Sequence, residues 1–128
     1  MSKYAALGFK NDKVEITVDE REGAMVIRFS GNIDDADPGK FLDPALEDIH
    51  RQVLANKLNE VDADFVALSF LNSSGIKSLI KWIMRQTELP EDQKYRIRFL
   101  YSSRVTWQQT SLKALTYLAP KTVVAVQV

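Results

Sequence analysis

Apolar Val14, Ile16 and Val18 alternate with polar Glu15, Thr17 and Asp19, and Met25, Ile27 and Phe29 alternate with Val26, Arg28 and Ser30. Successive side chains of a strand point to opposite faces, so both runs predict strands, near residues 13–19 and 24–31. The short polar linker 20–23 joins them as an antiparallel hairpin. Acidic residues with Pro38 and Gly39 then mark a loop over 32–40. Leu42, Leu46, Ile49 and Val53 recur at helical spacing, and Asp43 before Pro44 has the form of an N-cap with proline at the first helical position. A helix over 44–58 is expected.

Phe65 to Leu71 is a nearly unbroken apolar run, as expected of a central strand buried on both faces. The polar turn Asn72-Ser73-Ser74-Gly75 separates it from Ile76, Leu79, Ile80 and Ile83, which open a helical pattern lasting to Thr87. Leu89 to Asp92 breaks that pattern. Tyr95, Ile97, Phe99 and Tyr101 alternate with Arg96, Arg98 and Leu100 as a further strand. Ser102 or Ser103 can cap a helix to about Leu118, which packs Val105, Leu112, Leu115 and Ala119 inward and ends at Pro120. Val124, Val126 and Val128 close the chain as a strand.

The order β-β-α-β-α-β-α-β predicts a mixed, mostly parallel five-stranded α/β sheet with right-handed crossovers. Glu15, Thr17, Arg28, Arg96, Arg98 and Gln127 share the non-core parity of their strands. Helices are therefore expected mainly on one face, with the opposite face partly wet and Arg28 paired across the hairpin with Glu15 or Thr17.

At 128 residues the chain suits one domain, taken as 13–128 after a lead segment 1–12. Cys is absent and His50 is the only histidine, which excludes disulfide frameworks, Cys-based zinc sites and iron–sulfur clusters. No metal or cofactor is expected. No apolar run reaches the roughly 20 residues of a membrane span, and the first residues lack the apolar core of a signal peptide, so no membrane partner and a cytoplasmic location are expected. The 17 basic and 17 acidic residues cancel, which argues against a general nucleic-acid binder. Residues 1–64 hold 8 Lys/Arg and 14 Asp/Glu, net −6, and residues 65–128 hold 9 and 3, net +6. Halves of opposite sign attract each other across the fold, or present a polarised surface that orients a partner.

The turn after the central strand is the most informative point for chemistry. Sites in open α/β sheets form at the carboxyl ends of strands, and a helix start presents unpaired N–H groups and positive potential. Ser73 and Ser74 stand there beside Gly75, which lets the backbone be approached closely; capping is the simplest role for such residues. Catalysis is not expected. The lone His50 lies on the inward side of the first helix, with Leu46 and Val53, as a boundary or core residue and not a base for a serine nucleophile. Nucleophile-elbow, P-loop and dinucleotide glycine patterns are all missing.

The strand 65–71, the turn Asn72-Ser73-Ser74-Gly75 and the following Ile76-Lys77-Ser78-Leu79 resemble the STAS domain of bacterial anti-sigma factor antagonists, whose signature is Asp-Ser-Ser-Gly followed by Leu or Ile. Phe29-Ser30-Gly31-Asn32-Ile33-Asp34 is similar to the same family's strand ending in Ser-Gly-x-x-Asp, and the element order agrees over roughly 13–128. The resemblance implies a partner-switching regulator. A serine kinase of anti-sigma type would phosphorylate Ser74, a phosphatase would reverse it, and the state of Ser74 would decide who binds. Asp34 matches the loop aspartate near that serine. Asn72 departs from the pattern, standing where the family has aspartate and removing a charge.

A phosphate on Ser74 would bring about −1.5 to −2 charges to the positive end of a helix, with Lys77 within reach, so the fold should tolerate it. The switch must then act through a changed docking surface. Lys77, Lys81 and Arg85, at i, i+4 and i+8, form a basic stripe opposite Ile76, Ile80 and Ile83, expected as a solvated helix face or a docking surface; Trp82, on the flank of the helix away from Lys77, is expected as an interface anchor or as half-buried against a neighbouring helix. Partner contacts are expected at Asp34, Asn72, Ser73, Gly75, Lys77, Lys81, Trp82 and Arg85, while Trp107 is expected to pack. A scaffold subunit in which the serines only cap, and a small nucleotide or ligand binder using the helix start, are the alternatives. Both a monomer and a weak dimer fit the sequence.

Overall fold

The computed structural model describes residues 4–128. Its elements are β1 (Phe9–Lys10), β2 (Val14–Arg21), β3 (Ala24–Ile33), α1 (Gly39–Ala55), β4 (Glu60–Leu71), α2 (Ser73–Thr87), β5 (Arg96–Tyr101), α3 (Thr106–Thr116) and β6 (Val123–Gln127), with short 3-10 turns at Ala5–Leu7 and Glu91–Gln93. The strands form one sheet in the order β1-β2-β3-β4-β5-β6. β1, β2 and β3 are antiparallel, and β3 through β6 are parallel, each parallel step crossed by one helix. This is the expected α/β plan with a sixth strand.

The extra strand comes from the expected lead segment. Phe9 pairs with Ile16, Phe9 stacks on Phe41 with ring centroids 4.5 Å apart, and Tyr4 is buried. Residues 4–12 therefore belong to the domain. Residues 1–3 of that segment lie outside the described residues.

One parity of the sheet is dry and the other mostly wet, with Ala24, Val26 and Asp62 buried on it. Val14, Ile16, Val18, Ile27, Phe29, Ile97, Phe99 and Tyr101 join Leu46, Ile49 and Val53 of α1, Leu79, Trp82 and Ile83 of α2, and Leu112 and Leu115 of α3 in a single core. Each fully buried aliphatic or aromatic side chain there contributes about 1.5–3 kcal/mol. Glu15, Thr17 and Arg28 are exposed on the other side. Thr17 stands directly opposite Arg28, as the hairpin register predicts.

β4 departs from its expected range and its expected two-sided burial. It starts five residues earlier, because Val61, Asp62 and Ala63 are buried. Asp62 tolerates this because Arg21 Nε lies 3.0 Å and Arg98 Nε 3.1 Å from its two oxygens. Toward its end the strand carries two bulges. Between the pairs Arg28 with Asp64 and Ile33 with Leu71, β3 advances five residues and β4 seven. Burial in β4 therefore steps Phe65, Leu68, Leu71, at intervals of three, while Val66 and Phe70 are exposed on the open side.

The first helix also begins earlier than the sequence suggests. Pro38, not Asp43, is its N-cap, and Pro44 lies inside it. Phe41 and Leu42 pack inward one turn before the proline, and that burial outweighs the hydrogen bond that Pro44 cannot donate to the exposed Lys40 carbonyl. α3 starts at Thr106 and has Val105 at its N-cap without a side-chain cap. Ser102 instead accepts from Arg104 N at 3.2 Å within the preceding turn.

Candidate functional site

β3 and β4 end side by side, and the turn into α2 is held against β3. Asn72 N donates to Ile33 O at 3.0 Å, and Asn72 Nδ2 donates to Asp35 O at 2.7 Å. The Asn72 Oδ1 accepts from Gly75 N at 2.8 Å, which makes Asn72 the N-cap of α2. An asparagine can do both because its amide carries a donor and an acceptor; an aspartate in its place could cap but not donate to Asp35 O. The departure of Asn72 from the Asp-Ser-Ser-Gly pattern thus has a local physical use.

Capping by Asn72 leaves the two serines free of that duty. Ser73 is exposed and Ser74 partly exposed, and no side-chain hydrogen bond of either is present among the described residues. Ser74 Oγ therefore stands in the first turn of α2, at the positive end of the helix, reachable from solvent. Gly75 is buried: a Cβ there would lie 2.4 Å from Leu71 Cδ1 and 3.3 Å from Ile33 Cγ2. That close approach seats the start of α2 on the ends of β3 and β4.

Gly31 fixes the other side of the site. Its φ is +96°, and a Cβ would lie 2.0 Å from Lys13 O. Asn32 N donates to that same Lys13 oxygen at 2.9 Å, so β3 passes tightly over the start of β2 before the 34–37 loop. Asp34 is exposed beyond it, with Oδ1 3.0 Å from Lys13 Nζ, and this pairing raises the Lys13 pKa. The aspartate is thus anchored to β2, on the loop whose Asp35 carbonyl holds Asn72.

The basic stripe of α2 is placed differently from expectation. The buried positions of the helix are Gly75, Ser78, Leu79, Trp82, Ile83 and Gln86, so its inward face is rotated toward Trp82 and leaves Ile76 and Ile80 half-buried. Lys81 Nζ lies 3.0 Å from Asp43 Oδ2 and Arg85 Nη1 3.6 Å from Glu47 Oε1. Burial raises the Asp43 pKa, but the Ser78 hydroxyl and the charges of Lys81 and Arg85 bring it below its ordinary value overall. These residues line a cleft of about 210 Å³ between α1 and α2. The opposite charges of the two halves of the chain are thus partly spent on each other, through these pairs and through Arg98 with Asp62. Lys77 remains exposed on α2 without an ion pair among the described residues.

Trp82 is a correction. It is 2% exposed, with its Nε1–H donated to Tyr95 Oη at 2.8 Å, so it is a core residue and not a surface anchor. His50 is likewise buried, with Nδ1 2.7 Å from the same Tyr95 oxygen, in keeping with its reading as a core histidine. Trp107 packs edge-on against Phe65 and donates to Ser69 O at 2.9 Å.

With this geometry in place, solved structures give a match. An anti-sigma factor antagonist from Mycobacterium paratuberculosis superposes with a TM-score of 0.58 at 23% identity, over 90% of this chain and 88% of that one. The chain has the fold of the anti-sigma factor antagonists, the STAS fold. A chain from the complex of the diguanylate cyclase SiaD with its activator SiaC, from Pseudomonas aeruginosa, superposes with a TM-score of 0.64 at 16% identity, over 94% and 97%. No family model and no curated protein sequence matches. No helix among the described residues is long and apolar enough to cross a membrane.

One residue of this region escaped the sequence reading. Gln108 of α3 is fully buried, donates Nε2 to Phe65 O and, at 2.8 Å, to Leu68 O, and accepts from Ser102 N at 2.8 Å. It thereby satisfies the carbonyls that the bulged end of β4 turns away from β3, beyond the reach of β5. A glutamine at an inward helical position, one turn before Leu112, was the available signal.

Proposed function

We propose that this protein is a non-enzymatic signalling regulator that exchanges protein partners according to the phosphorylation state of Ser74. The observation that carries the reading is the division of labour in the turn. Asn72 caps α2 and binds Asp35 O, while the Ser74 hydroxyl, in the same turn, is partly exposed and free of hydrogen bonds among the described residues. A dianion there meets favourable helix potential and the exposed Lys77, so both states fold. A partner that packs on the 72–77 turn and the Asp34 loop would lose a neutral hydroxyl and meet a bulky charge. A misfit of about 3 kcal/mol weakens binding more than 100-fold.

The docking surface in this reading comprises Asp34, Asn72, Ser73, Ser74 and Lys77; Gly75, expected as a contact, is buried beneath it and only seats the turn, and Lys81 and Arg85 lie at the margin because α1 carboxylates already engage them. The anti-sigma factor antagonist likeness supports a serine kinase of anti-sigma type and a phosphatase as partners. The likeness to a chain of a diguanylate cyclase–activator complex supports a second reading, in which the partner controlled is itself an enzyme. The test is a pull-down with wild type, Ser74→Ala and Ser74→Asp, with intact-mass measurement after incubation with the captured kinase. Switching predicts retention by Ser74→Ala, loss by Ser74→Asp, and one phosphate that Ser74→Ala abolishes. Equal capture by both variants would instead favour a scaffold in which the turn carries no signal.

A further inference from the structure

We infer that the β6 edge of the sheet is a self-association surface, on which a second copy of this chain adds its own β6 antiparallel across a two-fold axis at Ala125. The hydrogen-bonding direction of β6 follows from its two ends. Thr122 O accepts from Ile97 N at 2.8 Å, and Val128 N donates to Tyr101 O at 3.0 Å. Bonding direction alternates along a strand, so Thr122, Val124, Val126 and Val128 face β5, while Val123, Ala125 and Gln127 turn their backbone groups outward. Val123 N is taken by Ala119 O at 2.8 Å. The Val123 carbonyl and both backbone groups of Ala125 and Gln127 are left pointing away from the last strand of the sheet.

This pattern complements itself. With Ala125 opposite Ala125 of the second copy, those two residues exchange a pair of N–H···O bonds. Each Gln127 N–H then meets the Val123 carbonyl of the other copy, giving four bonds in all. No Asp, Glu, Lys, Arg or Pro occurs from Thr122 to Val128, so the two-fold sets no charge against its own image and meets no residue of the kind that guards exposed edges. The other edge of the sheet is blunted by the brevity of β1, two residues long. Exposed apolar side chains also gather around β6: Tyr117 is 82%, Leu118 44% and Val128 66% exposed. The antiparallel register brings Val128 of one copy opposite Thr122 of the other, beside the connection that carries Tyr117 and Leu118.

The test begins with the mass in solution, by sedimentation over a dilution series up to about 100 µM. The expected species has twice the 14.5 kDa of the chain. Ala125→Pro deletes an outward N–H and leaves the β5 ladder intact, so it should be a folded monomer with dimerisation weakened at least about tenfold. Because the chain has no cysteine, Val124→Cys and Val126→Cys proteins can be mixed under mild oxidation. The register makes 124 and 126 of opposite copies a close pair, about 4.5 Å between Cα atoms and within disulfide reach, so the mixture should cross-link far more than either protein alone. A monomer throughout the series, a dimer untouched by Ala125→Pro, capture of an extended peptide without self-association, or equal cross-linking within either single variant would each overturn the inference. If Ala125→Pro does not fold, the cysteine mixture decides.

Discussion

The indole Nε1–H of Trp82 and the imidazole Nδ1 of His50 converge on one Tyr95 hydroxyl, at 2.8 and 2.7 Å. An indole can only donate, so the Tyr95 oxygen accepts from Trp82, and among the described residues His50 Nδ1 is the one acceptor within reach of the Tyr95 proton. The pairing thus assigns the neutral tautomer of His50, with Nδ1 bare and accepting. Burial first, and then the charge of Arg85, holds the His50 pKa below its ordinary value, while burial pushes the Tyr95 hydroxyl up.

This linkage makes stability depend on pH in a defined direction. The unfolded chain takes up a proton on His50 more readily than the folded one, so stability rises with pH through this window. The contribution is fully present above about pH 6.5 and declines below it, by up to about 1.4 kcal/mol per pH unit from this one group. His50→Gln, which can still bond the Tyr95 hydroxyl, should flatten that part of the profile. Urea unfolding of both proteins between about pH 5 and 7.5 checks it; parallel profiles would assign the slope to other groups.

Gly31→Ala should cost about 3 kcal/mol or more, because the new methyl would meet the Lys13 carbonyl in a left-handed backbone that neither strand can leave. Gly23→Ala, at φ +74° but with open space around it, should cost only about 1–2 kcal/mol. Equal losses in denaturant titrations would show that backbone conformation, not the approach to Lys13, dominates at position 31.

Asn72→Ala removes both the α2 cap and the bond to Asp35 O, and should destabilise by about 1–2 kcal/mol. Asn72→Asp keeps the cap and should cost less. Ser74→Asp should leave the melting temperature unchanged or slightly raised, by at most about 1 kcal/mol of stabilisation, since a negative charge suits the first turn of a helix. A marked loss of stability in Ser74→Asp would mean that the hydroxyl supports the fold.

Trp82→Ala should lower stability by about 3–5 kcal/mol through the cavity it leaves, whereas exposed Lys77→Ala should change it by less than about 0.5 kcal/mol. Gln108→Ala should cost about 1–3 kcal/mol by stranding the Phe65 and Leu68 carbonyls. Calorimetric melting of the three variants ranks them directly.

The pattern of the chain carried most of the architecture, because the core is one-sided. Where a face is dry and its reverse wet, as in β2 and β5, period-two alternation reads directly as strand and register. The reading failed where something other than periodicity set the outcome. In β4 two inserted residues convert the burial interval from two to three, which resembles continuous apolarity. At Pro44 the burial of Phe41 and Leu42 draws the helix past a residue that normally starts one. The side of α2 that faces inward depended on Trp82, whose ring suits either a core or an interface, and only the Tyr95 hydroxyl waiting inside decides. The turn pointed to Ser73 and Ser74 together, and only the family resemblance chose Ser74 between them; that Asn72 alone performs the capping could not be read, since all three polar residues of 72–74 are eligible.

The paired bulges of β4 set how this region can vary. Each bulge sets two neighbouring residues, Val66 with Ala67 and Ser69 with Phe70, on the open side opposite a single residue of β3, so Leu68 and Leu71 still point into the core and α2 starts from the correct side. Removing one extra residue from either exposed pair would return that part of β4 to plain alternation with Leu71 still opposite Ile33, and Ser74 would keep its place beside the Asp35 carbonyl. Removing Leu68, which stands alone between the pairs, would instead take a core side chain with it. Grafting or redesign of the serine turn can therefore shorten the strand at the two exposed pairs but not between them.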